Sequence, residues 1–181
     1  MSELTPEIEK LIDQRVQEAL KSSGVASQRN RMALIASQGT LDTAYPPLII
    51  ASTAAAMDME AAIFFTFYGL YILHKKRGAN LKVPPLANPA MPMPVPNIIG
   101  AMPGMTAMAT MMMKSWMGKV KVPSVPELLD MCVESGVRII ACQMTMDVMG
   151  IKKEHLLDDI EVGGAATFLG YAADSSINMF M

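Results

Sequence analysis

Gly-Val-Arg-Ile-Ile-Ala-Cys-Gln-Met-Thr-Met-Asp-Val-Met-Gly-Ile, residues 136–151, is the stretch on which the fold turns. Val137 to Cys142 is a short apolar run broken only by Arg138, so both of its faces expect burial. That is the pattern of a parallel strand covered by helices on either side. Residues 145–150 then suit a helix that stops at Gly150. Upstream, Ser124 is placed to cap a helix whose stripe is Val125, Leu128, Leu129, Cys132 and Val133, with Gly136 as its end. Helix, buried strand and helix in that order describe a layered α/β unit.

The same signature repeats on both sides. Arg31–Ser37, Ala61–Phe67 and Ser176–Phe180 read as further strands, bounded by turn residues. The expected strands are therefore 31–36, 61–67, 137–142 and 176–180, with a fifth still to be placed. Helices are expected over 43–57, with Pro46 and Pro47 in the first turn, over 69–76, and over 163–174. The fold class is α/β: a three-layer α/β/α open sheet, mostly parallel, of four to five strands. Thr5, Pro6 and Glu7 start an amphipathic helix over residues 5–23 that precedes the first strand and lies outside this core. The expected organisation is an N-terminal amphipathic helix in 1–28 and an α/β domain in 29–181, the latter carrying a Pro- and Met-rich insertion at 82–122.

Composition narrows the function classes. The chain has 181 residues, enough for one domain, and a formal charge of -2 with scattered basic residues, which gives no footprint for nucleic acid. Two cysteines are too few for a disulfide-stapled secreted fold, and the polar first residues carry no signal-peptide pattern, so the cytoplasm is the expected compartment. The mean hydropathy of +0.29 raises the question of a membrane span. The apolar runs 44–57 and 61–73 are split by Asp58 and Glu60, and each falls short of the ~20 residues a span needs. Val83 to Met113 is uncharged but holds seven prolines (84, 85, 89, 92, 94, 96 and 103), which exclude a regular helix, so no transmembrane segment is expected. Nine of the 19 methionines fall between Met91 and Met117, where an adaptable apolar arm could pack on its own subunit or dock a partner.

Few residues can do chemistry. HExxH, CxxC and phosphate-loop patterns are missing, and His74 and His155 lie far apart and read as exposed helix residues. No metal and no cofactor is expected. Cys142 differs because it ends a buried strand just before a helix, where open α/β sheets gather their reactive groups. Backbone amides and a helix dipole at that place favour the thiolate, the form that attacks persulfides, thiosulfonates and disulfides. Gln143 and Thr145 are placed to support it by hydrogen bonding, whereas Asp147 is expected to face solvent or order the helix start. Buried packing of Cys142 as a small hydrophobe is the competing reading. Cys132 sits on the apolar stripe of its helix, as core packing or as a second, resolving thiol.

The run GVRIIACQMTMDVMGI, Gly136 to Ile151, resembles the signature of the DsrE/DsrF-like family. EVGGAATFLGYA, Glu161 to Ala172, and the strand, loop and helix pattern of 31–57 are similar to the same branch. The resemblance implies a Rossmann-like fold, homo-oligomers, and sulfur carried as a persulfide or thiosulfonate on the cysteine matching Cys142. It also implies TusA-like carriers or other sulfur-relay proteins as partners. Sulfurtransferase or sulfur-carrier activity on Cys142 is thus the favoured expectation. The alternative is a non-catalytic assembly or docking protein whose cysteine is structural.

Overall fold

The computed structural model describes residues 10, 12–16, 18, 29–84 and 104–181. In chain order these form β1 (Arg29–Ala36), α1 (Leu41–Ala56), β2 (Glu60–Phe65), α2 (Met105–Lys119), α3 (Val125–Glu134), β3 (Arg138–Cys142), α4 (Gln143–Met149), β4 (Glu161–Gly163), α5 (Ala165–Ala172) and β5 (Ser175–Phe180). The five strands make one sheet in the order β4-β3-β2-β1-β5, and every pairing is parallel. Register sets Ile63 beside Leu34 on one side and Ile139 on the other, which keeps the central strands level.

Alternation along each strand assigns side chains to two layers. Leu34, Ile63, Phe65, Ile139 and Ala141 point to the face covered by α1 and α3, where they join the larger core. Ala33, Phe64, Ile140 and Cys142 point to the other face, beneath Phe168 of α5. On the first face Leu48, Leu34, Ile63 and Phe65 have no exposed surface at all. Each such side chain contributes roughly 1.5–3 kcal/mol of hydrophobic stabilisation.

The expected α/β/α fold is what forms, with the fifth strand at Glu161–Gly163. Several details differ. Helix α1 starts at Leu41, because Thr40 turns the chain and its amide donates to Thr43 Oγ1 at 3.1 Å. Pro46 and Pro47 therefore sit in the second turn, and the carbonyls of Asp42 and Thr43 lose their helical donors. The helix expected at 69–76 is replaced by 3-10 turns at Phe67–Tyr71 and Gly78–Asn80. Gly163 belongs to a strand rather than to the helix expected from it. Exclusion of a helix by proline stops at Pro103: Met105–Lys119, which holds no proline, is the helix α2.

Ile12 and Val16 are helical and about half exposed, at 47% and 49%. The remainder of the expected 5–23 helix, and residues 85–103 of the insertion, lie outside the described residues. No helix among the described residues is long and apolar enough to cross a membrane.

His74 and His155, remote in sequence, stack with ring centroids 5.7 Å apart beside an antiparallel bridge between His74 and Leu156. Each ring accepts a backbone amide at Nδ1, from Lys76 at 3.1 Å and from Lys152 at 3.2 Å. The acceptor role of His74 Nδ1 requires a neutral ring there. Partial burial lowers the His74 pKa, helped by Arg77, His155 and Lys76, and Glu154 is the acid nearest the pair, 3.9 Å from His155. A folded pKa below the unfolded one means that the folded chain binds fewer protons. This contribution is complete above about 6.5 and is lost as pH falls through that value toward the lower folded one. Hydrogen exchange at the Lys75 and Leu157 amides, which bond His155 and Leu73 carbonyls, should lose protection across that window. Unchanged protection there would contradict it.

Candidate functional site

Cys142 is the last residue of β3 and the N-cap of α4, at the carboxyl edge of the sheet. Its neighbour strand β2 ends at Phe65, and the chain after it turns sharply: Phe67 has a φ of +46°, in the left-handed region. Two glycines make that turn possible by letting backbones touch. A Cβ on Gly39 would lie 2.1 Å from the Tyr68 carbonyl oxygen, and one on Gly69 would lie 2.1 Å from that of Ala36. The loop after β2 is thereby clamped onto the loop after β1.

This clamp presents Thr66 and Phe67 to α4. Thr145 is 2% exposed, and its Oγ1 accepts the Phe67 amide at 3.2 Å and lies 3.1 Å from Thr66 Oγ1. Around Cys142, burial alone would raise the thiol pKa. It is outweighed by hydrogen bonding from the Thr145 hydroxyl and amide, the Thr66 hydroxyl and the Met144 amide, and the net shift is downward. Neutral donors thus favour the thiolate.

Thr145 joins Cys142. Gln143 is exposed, and its side-chain amide donates to Asp147 at 2.9 Å. Cys132 lies on α3, in the core on the opposite face of the sheet, with its thiol 3.4 Å from the Leu48 carbonyl. Burial pushes that thiol up to about 11. Both cysteines are free. Cys142 is 4% exposed and shares a buried cluster with Phe64 and Phe168, whose rings stack at 5.2 Å.

Thr66 and Phe168 were not singled out from sequence. The signal for Thr66 was its place just past a buried strand, adjacent to the strand bearing the cysteine. It was masked because the apolar run to Phe67 reads as uninterrupted strand. Phe168 lies on the Glu161–Ala172 segment, but nothing in one sequence tells which face its helix covers.

Residues 28–180 match the DsrE/DsrF/DrsH-like family, and the chain belongs to it. Sulfur carrier protein DsrE2 of Allochromatium vinosum is 46% identical over 160 residues, covering 85% of this chain and 99% of that protein. The uncharacterized protein YrkE of Bacillus subtilis is 34% identical over 160 residues, 87% of this chain and all (100%) of that one. Among solved structures, MTH1491 of Methanobacterium thermoautotrophicum superposes with a TM-score of 0.49 at 11% identity, over 83% of this chain and 98% of that chain.

The two thiols should separate by titration. Alkylation of Cys142 should show a pH midpoint below the usual thiol value of about 8.5, and Cys132 should stay unmodified until the protein unfolds. Peptide mapping after iodoacetamide treatment over a pH series measures both. A Cys142 midpoint at or above the usual value would contradict the thiolate-favouring geometry.

Proposed function

We propose that this DsrE/DsrF/DrsH-like chain is a sulfur carrier or sulfurtransferase that loads sulfane sulfur or thiosulfonate on Cys142 and passes it to an acceptor thiol. The observation that carries the reading is the place of Cys142 at the carboxyl end of β3, beside the Thr66–Thr145 pair, where neutral donors lower its thiol pKa despite burial. The 46% identity to a protein named as a sulfur carrier supports it. In the forward step the Cys142 thiolate attacks the sulfane sulfur of a donor persulfide. An S–S bond forms to Cys142, the donor's S–S bond breaks, and the donor thiolate leaves with that electron pair. The acceptor's thiolate then repeats the attack on the loaded sulfur and frees Cys142. The exchange consumes no external oxidant or reductant, and no cofactor takes part. The supporting role falls to Thr145, because the Gln143 side chain is engaged with Asp147. Transfer requires α5 to move off the thiol while donor or acceptor is docked.

The partners in this reading are a TusA-like carrier or another sulfur-relay protein, in the cytoplasm, with the chain itself acting as a homo-oligomer. Residues 1–28 are then an appendage to the 29–181 domain, and the 82–122 insertion a packing or docking arm. A groove of about 550 Å³ lined by Ile35, Phe168, Leu169, Met179 and Phe180 supports apolar association beside the site. The second reading, an assembly protein with a structural cysteine, draws on the 4% exposure of Cys142.

Intact-mass measurement after incubation with polysulfide tests the choice. The wild-type protein should gain mass that reductant removes, Cys142→Ser should gain none, and Cys132→Ser should load like wild type. Equal loading of Cys142→Ser and wild type would end the assignment.

A further inference from the structure

The surroundings of Cys142 bear on which form of sulfur it accepts. Resting on the carrier reading above, we infer that the enclosure of Cys142 admits sulfane sulfur as a persulfide and excludes the sulfonate-bearing thiosulfonate.

On the α5 side Cys142 shares a buried apolar cluster with Phe64, Ile140 and Phe168, and the two phenylalanine rings stack. Three surface grooves, of about 250, 470 and 550 Å³, flank the domain, and none of the three is lined by Cys142. One added sulfur atom is a soft, polarizable group of the kind that packs favourably against aromatic rings. A thiosulfonate adds a second sulfur and three oxygens in the same place.

Polarity separates the two loads more sharply than size. A sulfonate in an apolar enclosure needs a hydrogen-bond donor or a cation for each oxygen, and each one left unsatisfied is costly. Among the described residues, four donors act on this thiol, two hydroxyls and two amides. The hydroxyls of Thr66 and Thr145 lie 3.1 Å apart, within hydrogen-bond reach of each other. The same two hydroxyls, with the Thr145 and Met144 amides, are the groups that lower the pKa of the Cys142 thiol. Burial and hydrogen bonds, with no charged side chain among them, account for the state of that thiol. The arginines of the sheet stand at its opposite edge, where Arg138 pairs with Glu161 at 2.7 Å and Arg31 pairs with Glu60. A persulfide asks less of this environment. It carries at most one charge, spread over a large sulfur, and takes up the same hydroxyl and amides that serve the thiolate.

Two reagents distinguish the loads. Attack on polysulfide transfers one or more sulfane sulfurs and releases a shorter polysulfide. Attack on tetrathionate forms an S–S bond to one of its sulfane sulfurs, expels thiosulfate with the electron pair of the broken S–S bond, and leaves a thiosulfonate on the cysteine. The experiment follows mass gain of the full chain with each reagent, in wild type and Cys142→Ser, and divides each rate by that of free cysteine with the same reagent. Normalised loading of Cys142 by tetrathionate should be slower than by polysulfide by about tenfold or more, the effect of stranding buried polar groups. Phe168→Ala should narrow that gap by opening the roof. Comparable normalised rates in wild type, both abolished in Cys142→Ser, would overturn the selectivity and leave the carrier reading standing. Failure of polysulfide to load Cys142 would overturn the carrier reading, and this inference with it. A folded Phe168→Ala protein as resistant to tetrathionate as wild type would also overturn it, since the aromatic roof would not be the barrier.

Discussion

Strands β2 and β3 are buried on both faces, so the parity of a residue along them decides which helix layer it meets. Ile139 and Ala141 meet α1 and α3, whereas Ile140 and Cys142 meet α5. That single constraint keeps the two thiols of the chain apart. Cys132 rides on a helix of one layer and Cys142 points into the other, with the sheet between them. A one-residue slip of β3 would exchange the layers, and every apolar contact of the strand would have to be rebuilt.

The two cysteines also show how one chain shifts two thiol pKa values in opposite directions. Both are buried, and burial acts in the same direction on each. At Cys132 it dominates, and the proton is held up to about 11. At Cys142 the hydroxyls and amides at the sheet edge reverse it. The reversal depends on backbone geometry some distance along the chain. Gly39 and Gly69 let two loops touch, Phe67 takes a left-handed conformation, and its amide donates to Thr145 Oγ1. A strained residue beside a reactive group is a recurring device for fixing such a cradle.

Much of this was legible in the sequence. The uncharged cores of β1, β2 and β3, the Ser124 cap and the glycine stops at 136 and 150 placed the layers, because burial on both faces and helix ends leave local signals. Cys142 at a strand end followed from the same signals. What stayed hidden was set by tertiary contacts. The three-residue strand β4 is too short to show periodicity. The Thr66–Thr145 pair joins residues from two different strand ends, and the His74–His155 stack joins two loops. The roof over Cys142 depends on how α5 crosses the sheet, which no local pattern records.

The central claim is that neutral hydroxyl and amide donors, with Thr145 at their centre, lower the pKa of the Cys142 thiol. Its most direct test is a thiolate absorbance titration in a Cys132→Ser background, comparing Thr145→Val and Thr145→Ser with the unmodified site. Removing the hydroxyl should raise the Cys142 midpoint toward or above the usual thiol value of about 8.5, and serine should keep it near its original position. An unchanged midpoint in a folded Thr145→Val protein would show that the hydroxyl cradle does not hold the thiolate.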